Sequence, residues 1–208
     1  MPDRISSLAI QRERERDFAL QIQQLYPGAH AACFYEDDAV LIDSLCEFVR
    51  AGLDAGEVAV AILTRPHIAA LEKRLVQLNY DLAALKAASR YAASDARETL
   101  SLFMRNGHPD EKLFRSLVYP LFMSLARVGA GVRAFGEMAT VLWEDGNAVA
   151  AVELEMLGTE LGREISKISP MTLLCAYPAE LAARKDFARA KTCVHREHGV
   201  VVELIPAS

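Results

Sequence analysis

Short apolar segments alternate with amphipathic helical segments along most of the chain, and this alternation constrains the fold more than any other feature. The clearest apolar segment is EVAVAIL, residues 57–63, which lies between Gly56 and Pro66. A continuous apolar run of this length is typical of a strand buried on both faces of a parallel sheet. The segment that follows places Ile68 and Leu71 three residues apart, as on one face of a helix.

The same reasoning predicts strands along the whole chain. They are AACFY (31–35), EVAVAIL (57–63), RYAA (90–93), VRAFGEM (132–138), MTLLCAY (171–177) and GVVVELI (199–205). Crossovers between parallel strands are right-handed and return a helix to one face of the sheet. The chain is therefore predicted to form an α/β three-layer sandwich with a mainly parallel sheet. We expect the last strand to lie at an edge, with an antiparallel orientation as one alternative.

An amphipathic helix is predicted before this sheet. It contains the charged run RERERD, and Phe18, Ile22 and Leu25 share one of its faces. We expect the helix to dock on the core or on another subunit. The chain is accordingly divided into an N-terminal helix, residues 1–26, and one domain, residues 27–208, because its 208 residues with 52% hydrophobic content are sufficient for a single large core.

Composition excludes several classes of function. The formal net charge is -5, so no broad basic face is expected and direct nucleic-acid binding is not predicted. The apolar runs are shorter than the roughly 20 residues of a membrane-spanning helix, and the N-terminus has no apolar signal core. We expect a cytoplasmic protein without membrane contact. The four cysteines are widely spaced and are predicted to be reduced residues of the core.

The turn after the first strand carries three acids, Glu36, Asp37 and Asp38. Nucleotide-binding proteins place a glycine-rich phosphate loop at this position, with inward N–H groups and a lysine. This turn has neither the glycines nor the lysine, and its carboxylates would repel a triphosphate. ATP hydrolysis by the usual route is therefore disfavoured. Asp38 is predicted to be the cap of the following helix, while Tyr35 and Glu36 are better placed to contact a ligand.

In folds of this class, ligands bind beyond the carboxyl ends of the strands. Side chains at these ends form a predicted binding rim, and the candidate ligand-binding residues are Tyr35, Glu36, Asp37, Arg65, Arg133, Glu137, Trp143 and Tyr177. Two alternatives stay open. Arg133 and Glu137 share a face of their strand and fit either a ligand site or a buried ion pair. Trp143 fits either a pocket wall or core packing near the pocket.

No catalytic residue, metal site or cofactor is predicted. Cys193, His195 and His198 form a Cys-x-His-x-x-His pattern, but surface histidines near the end of a chain explain it better than a metal site. The other histidines, His30, His67 and His108, are isolated in the sequence and are expected to make local hydrogen bonds or to lie at the surface. No Gly-x-Ser-x-Gly motif is present.

Several segments resemble one protein family in a constant order. HAACFYEDD, FVRAGLDAGEVAVAIL, VRAFGEMATVLWEDGNAVAAVELE and LLCAYP are similar to segments of the MEDS family, and the resemblance extends over about residues 28–205. It implies a RecA/KaiC-like fold with a degenerate phosphate loop, used as a sensory module in bacterial and archaeal signalling proteins. Family members are often joined to a histidine kinase or a DNA-binding domain. The chain is thus expected either to contact such a partner in trans or to be a piece of a longer protein.

Together these features predict a module that binds a small molecule at the rim and signals to a histidine kinase or transcription regulator in trans. The helical segments near residues 113–128 and 147–168 are the predicted carriers of the signal. A homodimer is a further expectation. One alternative is a divergent nucleotide-binding or metal-assisted hydrolase that uses the acid cluster. A second is a ligand-free interaction module that uses the Phe18 stripe.

Overall fold

Residues 4–183 and 188–203 are described by a computed structural model of the chain. Their centre is a six-stranded sheet in the order β3-β2-β6-β7-β1-β8, and every neighbouring pair is parallel. Its strands are β1 His30–Tyr35, β2 Val58–Leu63, β3 Tyr91–Asp95, β6 Val132–Gly136, β7 Met171–Pro178 and β8 Val200–Glu203. A separate antiparallel hairpin joins β4 Met104–Arg105 to β5 His108–Pro109.

Helices connect the strands of the sheet and cover both of its faces. They are α1 Arg4–Gln23, α2 Asp38–Asp54, α3 Arg65–Gln77, α4 Leu82–Ala87, α5 Ala96–Phe103, α6 Glu111–Leu125, α7 Met138–Glu144, α8 Ala148–Ile165, α9 Ala179–Ala182 and α10 Ala188–Glu197. This arrangement confirms the predicted α/β three-layer sandwich. It also places the carboxyl ends of β1, β2, β6 and β7 at one edge of the sheet.

The strand side chains alternate between two separate apolar cores. Ala31, Cys33 and Tyr35 of β1 face α1, α2 and α3, whereas Ala32 and Phe34 face the side covered by α5 to α8 and α10. This period of two is the property of an extended strand that lets both faces of a buried sheet be apolar. Each polar side chain of a central strand therefore points into one of the two cores.

The last strand corrects one expectation. β8 pairs with β1 in parallel, with Ala31 opposite Val200 and Phe34 opposite Glu203. The antiparallel alternative for this strand is wrong, although its position at the edge is confirmed. The crossover through α9 and α10 carries the chain back across the sheet, as parallel pairing requires.

The predicted strand VRAFGEM is too long at its carboxyl end. β6 ends at Gly136, and Glu137 has a φ of -105° and a ψ of 2°, outside the extended region. The chain turns directly into α7, a seven-residue helix that the sequence patterns did not predict. This turn directs the Glu137 side chain to the rim.

Helix α1 packs against α2 and completes one core. Phe18, Ile22 and Leu25 form the predicted apolar stripe and are 1%, 0% and 5% exposed. The stripe is therefore occupied by contacts within this chain. Among the described residues, no helix is both long enough and apolar enough to cross a membrane.

Three of the four cysteines are buried free thiols, as predicted: Cys33, Cys46 and Cys175. The side chain of Cys193 lies outside the described residues.

Candidate functional site

A buried carboxylate lies at the centre of the predicted rim. Glu137 is 2% exposed, and its Oε2 accepts a hydrogen bond of 2.8 Å from the backbone N–H of Thr64 at the end of β2. Its Oε1 contacts Nδ1 of His67 on α3, and Nε2 of His67 lies 3.5 Å from Oδ2 of Asp38. One imidazole therefore lies between two carboxylates at the strand ends. His67 was expected to make local hydrogen bonds or to lie at the surface; instead its partner Glu137 is 70 residues away, because α2 and α3 bring His67 to the rim.

The hydrogen bond that the His67 ring donates to Glu137 raises the pKa of His67, an effect that burial of the ring partly opposes. A protonated His67 can donate one hydrogen bond to each carboxylate. The site thus holds a positive charge between Asp38 and Glu137 over a wider pH range than a free histidine would. At this rim the positive charge of a protonated His67 compensates the carboxylates of Asp38 and Glu137.

The three acids of the first turn have three different environments. Glu36 is exposed. Asp37 has extended backbone angles and accepts a hydrogen bond of 2.6 Å from the N–H of Ala39, so it is the N-cap of α2. The prediction that Asp38 is the cap is wrong, because Asp38 is the first helical residue and its carboxylate faces His67. Tyr35 is 5% exposed in the core on the α1 to α3 side, and burial raises its pKa.

Arg65 lies at the rim but at its surface. Its side chain is 74% exposed, and its guanidinium contacts Glu98 and lies 3.7 Å from Asp95. These residues line a shallow groove beyond β2 and β3 together with Ile68 and Ser94. Arg65 therefore lies near the predicted rim, on the side of the rim that faces solvent.

Arg133 is not part of the rim. It is the second residue of β6, near the amino end of that strand, and its guanidinium pairs with Glu57 in the core. It also lies 5.1 Å from the ring centre of Phe48. Gly52 makes this arrangement possible, because a Cβ there would lie 2.5 Å from Cδ of Arg133. The buried ion pair is thus present, but its acid is Glu57 and not Glu137.

An apolar cavity lies between the sheet and helices α6, α7 and α8. Its volume is about 60 Å³, and most of its wall is aliphatic or aromatic. Its walls are formed by Ile62, Phe114, Val118, Phe122, Ala134, Phe135, Gly136, Met138, Ala139, Leu154, Glu155, Gly158, Leu161, Met171, Leu173 and Cys175. Gly136 and Gly158 leave space that a side chain would fill, and a Cβ at Gly136 would meet no atom within 4 Å.

The polar atoms of this wall come from Glu155 on α8 and Cys175 on β7. Glu155 is 5% exposed, and its Oε1 accepts a hydrogen bond from the hydroxyl of Tyr177. Tyr177, predicted at the rim, is directed to this buried acid and stacks on Phe34 with ring centres 5.6 Å apart. Trp143 is buried in the same core as the cavity, 3% exposed. The core-packing alternative for Trp143 therefore agrees with the structure.

Two histidines complete the environment of Glu155. His30 is the first residue of β1, and His198 lies between α10 and β8; their ring centres are 4.0 Å apart. Burial lowers the pKa of His30 to about 4, and repulsion from His198 adds to this effect. Burial also disfavours the charged form of His198, but contact with Glu155 outweighs it and raises the pKa of His198. Burial likewise disfavours the Glu155 carboxylate, yet the two histidines and Tyr177 hold its pKa below its usual value.

Sequence reasoning missed this second cluster. His30 was expected to make local hydrogen bonds or to lie at the surface, and His198 was expected at the surface with His195. Instead His198 is 4% exposed, whereas His195 is directed to the surface near Glu203. One local signal was available: Glu155 lies within AVAAVELEMLG, a helical segment that is apolar apart from Glu153 and Glu155, where a charged residue on the buried face needs a partner. The prediction for His108 agrees with the structure, since it contacts Glu153 at the surface.

Comparison with known proteins gives one match. The model of a family described as "MEDS: MEthanogen/methylotroph, DcmR Sensory domain" matches residues 29–196. No curated protein and no solved structure matches the chain. The matched residues include both the rim carboxylates and Glu155 with Cys175.

Proposed function

The chain belongs to the MEDS family of sensory domains, and from this membership we propose that it senses a small apolar molecule in the cavity between the sheet and helices α6 and α8. The observation that carries the proposal is the wall of the cavity, which is apolar except for Glu155 and Cys175. Small-molecule sites are mostly apolar, with a few polar groups that orient the ligand. At about 60 Å³ the cavity suits a ligand of only a few heavy atoms, since benzene occupies a cavity of about 150 Å³.

We place the ligand in this cavity and not at the predicted rim, because the rim groups already have partners. Glu137 is engaged by Thr64 and His67, and Asp37 by the N-terminus of α2. The acids of the first turn also support a degenerate phosphate loop, and we extend the proposal to a RecA/KaiC-like origin of the domain. The parallel sheet, with β1 between β7 and β8, supports this relationship.

A ligand in the cavity would signal through α6 and α8. Binding shifts a conformational equilibrium only if the ligand has different affinities for the two states. Phe114, Val118 and Phe122 of α6 line the cavity, while Leu117 and Leu121 of the same helix are exposed. A change in the packing of α6 would therefore alter its outer face. The proposed reader of that change is a histidine kinase or transcription regulator in trans.

Thermal unfolding in the presence of three small probes tests the cavity. Xenon and dichloromethane are apolar or weakly polar, and methanol is a polar molecule of comparable size. We expect the first two to raise the melting temperature and methanol to leave it unchanged. A probe at about 100 times its Kd stabilises a protein by about 2.7 kcal/mol.

Two glycines of α8 supply a matched pair of variants for this experiment. Gly158 lines the cavity, whereas Gly162, one turn later, does not. Gly158→Val places its methyl groups in the cavity and should abolish the stabilisation by xenon and dichloromethane. Gly162→Val introduces the same residue into the same helix and should retain it. The proposal fails if no probe stabilises the protein, or if both variants respond equally.

A further inference from the structure

Four potential metal ligands meet beside the cavity. They come from four parts of the fold: His30 from β1, Glu155 from α8, Cys175 from β7 and His198 from the segment between α10 and β8. One donor atom from each residue lies within 4.8 Å of all the others. The Oε2 atom of Glu155 lies 3.2 Å from Nε2 of His198, 3.7 Å from Nε2 of His30 and 3.6 Å from Sγ of Cys175, and that Sγ lies 3.8 Å from Nε2 of His30.

These distances match the edges of a metal coordination tetrahedron. Zinc binds nitrogen and oxygen at about 2.0–2.2 Å and sulfur at about 2.3 Å, so neighbouring donors of a tetrahedral site lie about 3.3–3.6 Å apart. Four of the six donor separations differ from these values by a few tenths of an ångström, and the two between His198 and the donors of His30 and Cys175 are at most 4.8 Å. Small side-chain movements would therefore suffice to complete the coordination of an ion.

The second nitrogen of each histidine is already engaged, which orients Nε2 toward the cluster. The hydroxyl of Thr159 donates its only hydrogen to the carbonyl of Glu155 and lies 3.2 Å from Nδ1 of His30. With the Thr159 hydrogen on that carbonyl, the hydroxyl accepts from Nδ1, and the tautomer assigned on this basis leaves a lone pair on Nε2. Metal-binding histidines are typically held by such an outer partner.

His198 is arranged in the same way. Its Nδ1 lies 2.7 Å from the carbonyl oxygen of Val194, an acceptor, so Nδ1 is a donor in the neutral ring. Its side chain is 0% exposed, and its Nε2 makes no hydrogen bond despite its proximity to Glu155. Tyr177 occupies Oε1 of Glu155 and leaves Oε2 directed to the centre. In the neutral ring this buried nitrogen carries a lone pair that lies among the other donor atoms, as a metal ligand requires.

Charge balance also favours a divalent cation. The carboxylate of Glu155 and a thiolate of Cys175 supply two negative charges, and the two neutral imidazoles supply none, so a divalent ion makes the site neutral. Buried charges are tolerated when they are compensated in this way. Binding would release the thiol proton of Cys175, and a bound ion keeps a coordinating thiol deprotonated.

We propose that His30, Glu155, Cys175 and His198 bind one zinc-class divalent metal ion in a closed, four-coordinate site. Imidazole and thiolate ligands select zinc and related transition metals over magnesium and calcium, which prefer oxygen. With four protein ligands the site is structural, and it joins α8 to β1, β7 and the segment between α10 and β8. The proposal does not depend on a ligand in the cavity.

Metal content of the purified full chain gives the first test. After growth with added zinc and gel filtration, we expect about one zinc ion per chain by elemental analysis. Replacement by Co²⁺ should produce the thiolate-to-cobalt charge-transfer absorption that reports a Co–S bond. Removal of the ion with EDTA should lower the melting temperature. A wild-type protein that is folded, binds neither ion in stoichiometric amount and is unaffected by EDTA overturns the proposal.

Substitutions then assign the ligands. Cys175→Ala and His198→Ala should each reduce the affinity for Co²⁺ by at least about 100-fold, and Cys175→Ala should remove the charge-transfer band. Cys33→Ala is the control, because Cys33 is also a buried free thiol of a central strand but faces the opposite core. It should retain full binding.

If substitution of a ligand prevents folding, a milder variant still tests the site. Thr159→Val removes the outer partner of His30 and leaves all four ligands in place. Such changes typically weaken metal binding by about 10–100-fold. Unchanged Co²⁺ affinity in Thr159→Val together with an unchanged cobalt band in folded Cys175→Ala would also overturn the site.

Discussion

Glu137 and Glu155 are buried glutamates that each contact histidine. Glu137 receives the N–H of Thr64 and the ring of His67, and Glu155 receives Tyr177 and lies against two histidines. A buried carboxylate is costly unless charged or hydrogen-bonding partners compensate it. The histidines around each acid therefore have a physical reason to be there. Glu137 links the ends of β2 and β6 to α3, and Glu155 lies in the cluster with His30, Cys175 and His198.

The pairing of His67 with Glu137 predicts a pH effect. In the folded protein the pKa of His67 is raised above its usual 6.5, chiefly by the hydrogen bond that its ring donates to Glu137. The stabilisation from this raised pKa is fully present below about pH 6.5 and is lost as pH rises through the folded pKa. Glu137→Gln should therefore lower the pKa of His67 and destabilise the protein more at mildly acidic than at alkaline pH.

NMR titration of the His67 ring, together with urea unfolding at several pH values, measures both effects. Glu153→Gln is the matched control, because Glu153 contacts a different histidine, His108, at the surface. It should leave the titration of His67 unchanged. A pKa of His67 that is the same in wild type and Glu137→Gln would contradict the assignment.

Five helices of the described chain start in the same way. Asp37, Asp81, Asp95, Asp110 and Asn147 precede α2, α4, α5, α6 and α8, and each side chain accepts a hydrogen bond from a backbone N–H of the first turn. Such caps satisfy N–H groups that have no partner within the helix. In the turn after β1 this pattern separates two adjacent acids: Asp37 caps α2, and Asp38 is free to contact His67.

The cap assignment predicts unequal effects for neighbouring acids. Asp37→Ala removes the acceptor for the N–H of Ala39 and should lower the free energy of unfolding by about 1 kcal/mol. Glu36→Ala changes an exposed side chain that caps no helix and should alter stability by less than roughly 0.5 kcal/mol. Urea unfolding distinguishes them. An equal decrease in the free energy of unfolding in the two variants would show that the Asp37 cap does not stabilise α2.

The sequence predicted the six strands of the sheet, most helices and the edge position of β8, because apolar periodicity, caps and breakers act over a few residues, but it did not predict the β4–β5 hairpin. The two side-chain clusters depend instead on which strands become neighbours. His30 and Cys175 are separated by 145 residues, and only the pairing of β1 with β7 brings them together. His67 reaches Glu137 across 70 residues in the same way. Isolated histidines in a sequence therefore give no reliable indication of their environment in a parallel sheet.

The packing of α1 decides whether the N-terminal helix belongs to the domain or to an interface. Phe18 is 1% exposed in the core that α1 shares with α2 and the sheet. Phe18→Ala should therefore lower the free energy of unfolding by about 3–5 kcal/mol through lost burial and the cavity left behind. Leu20→Ala, on the exposed side of the same helix at 45% exposure, should cost less than roughly 0.5 kcal/mol. Light scattering should give the same mass in solution for both variants and wild type, whereas a stable Phe18→Ala protein of lower mass would identify the stripe as a dimer contact.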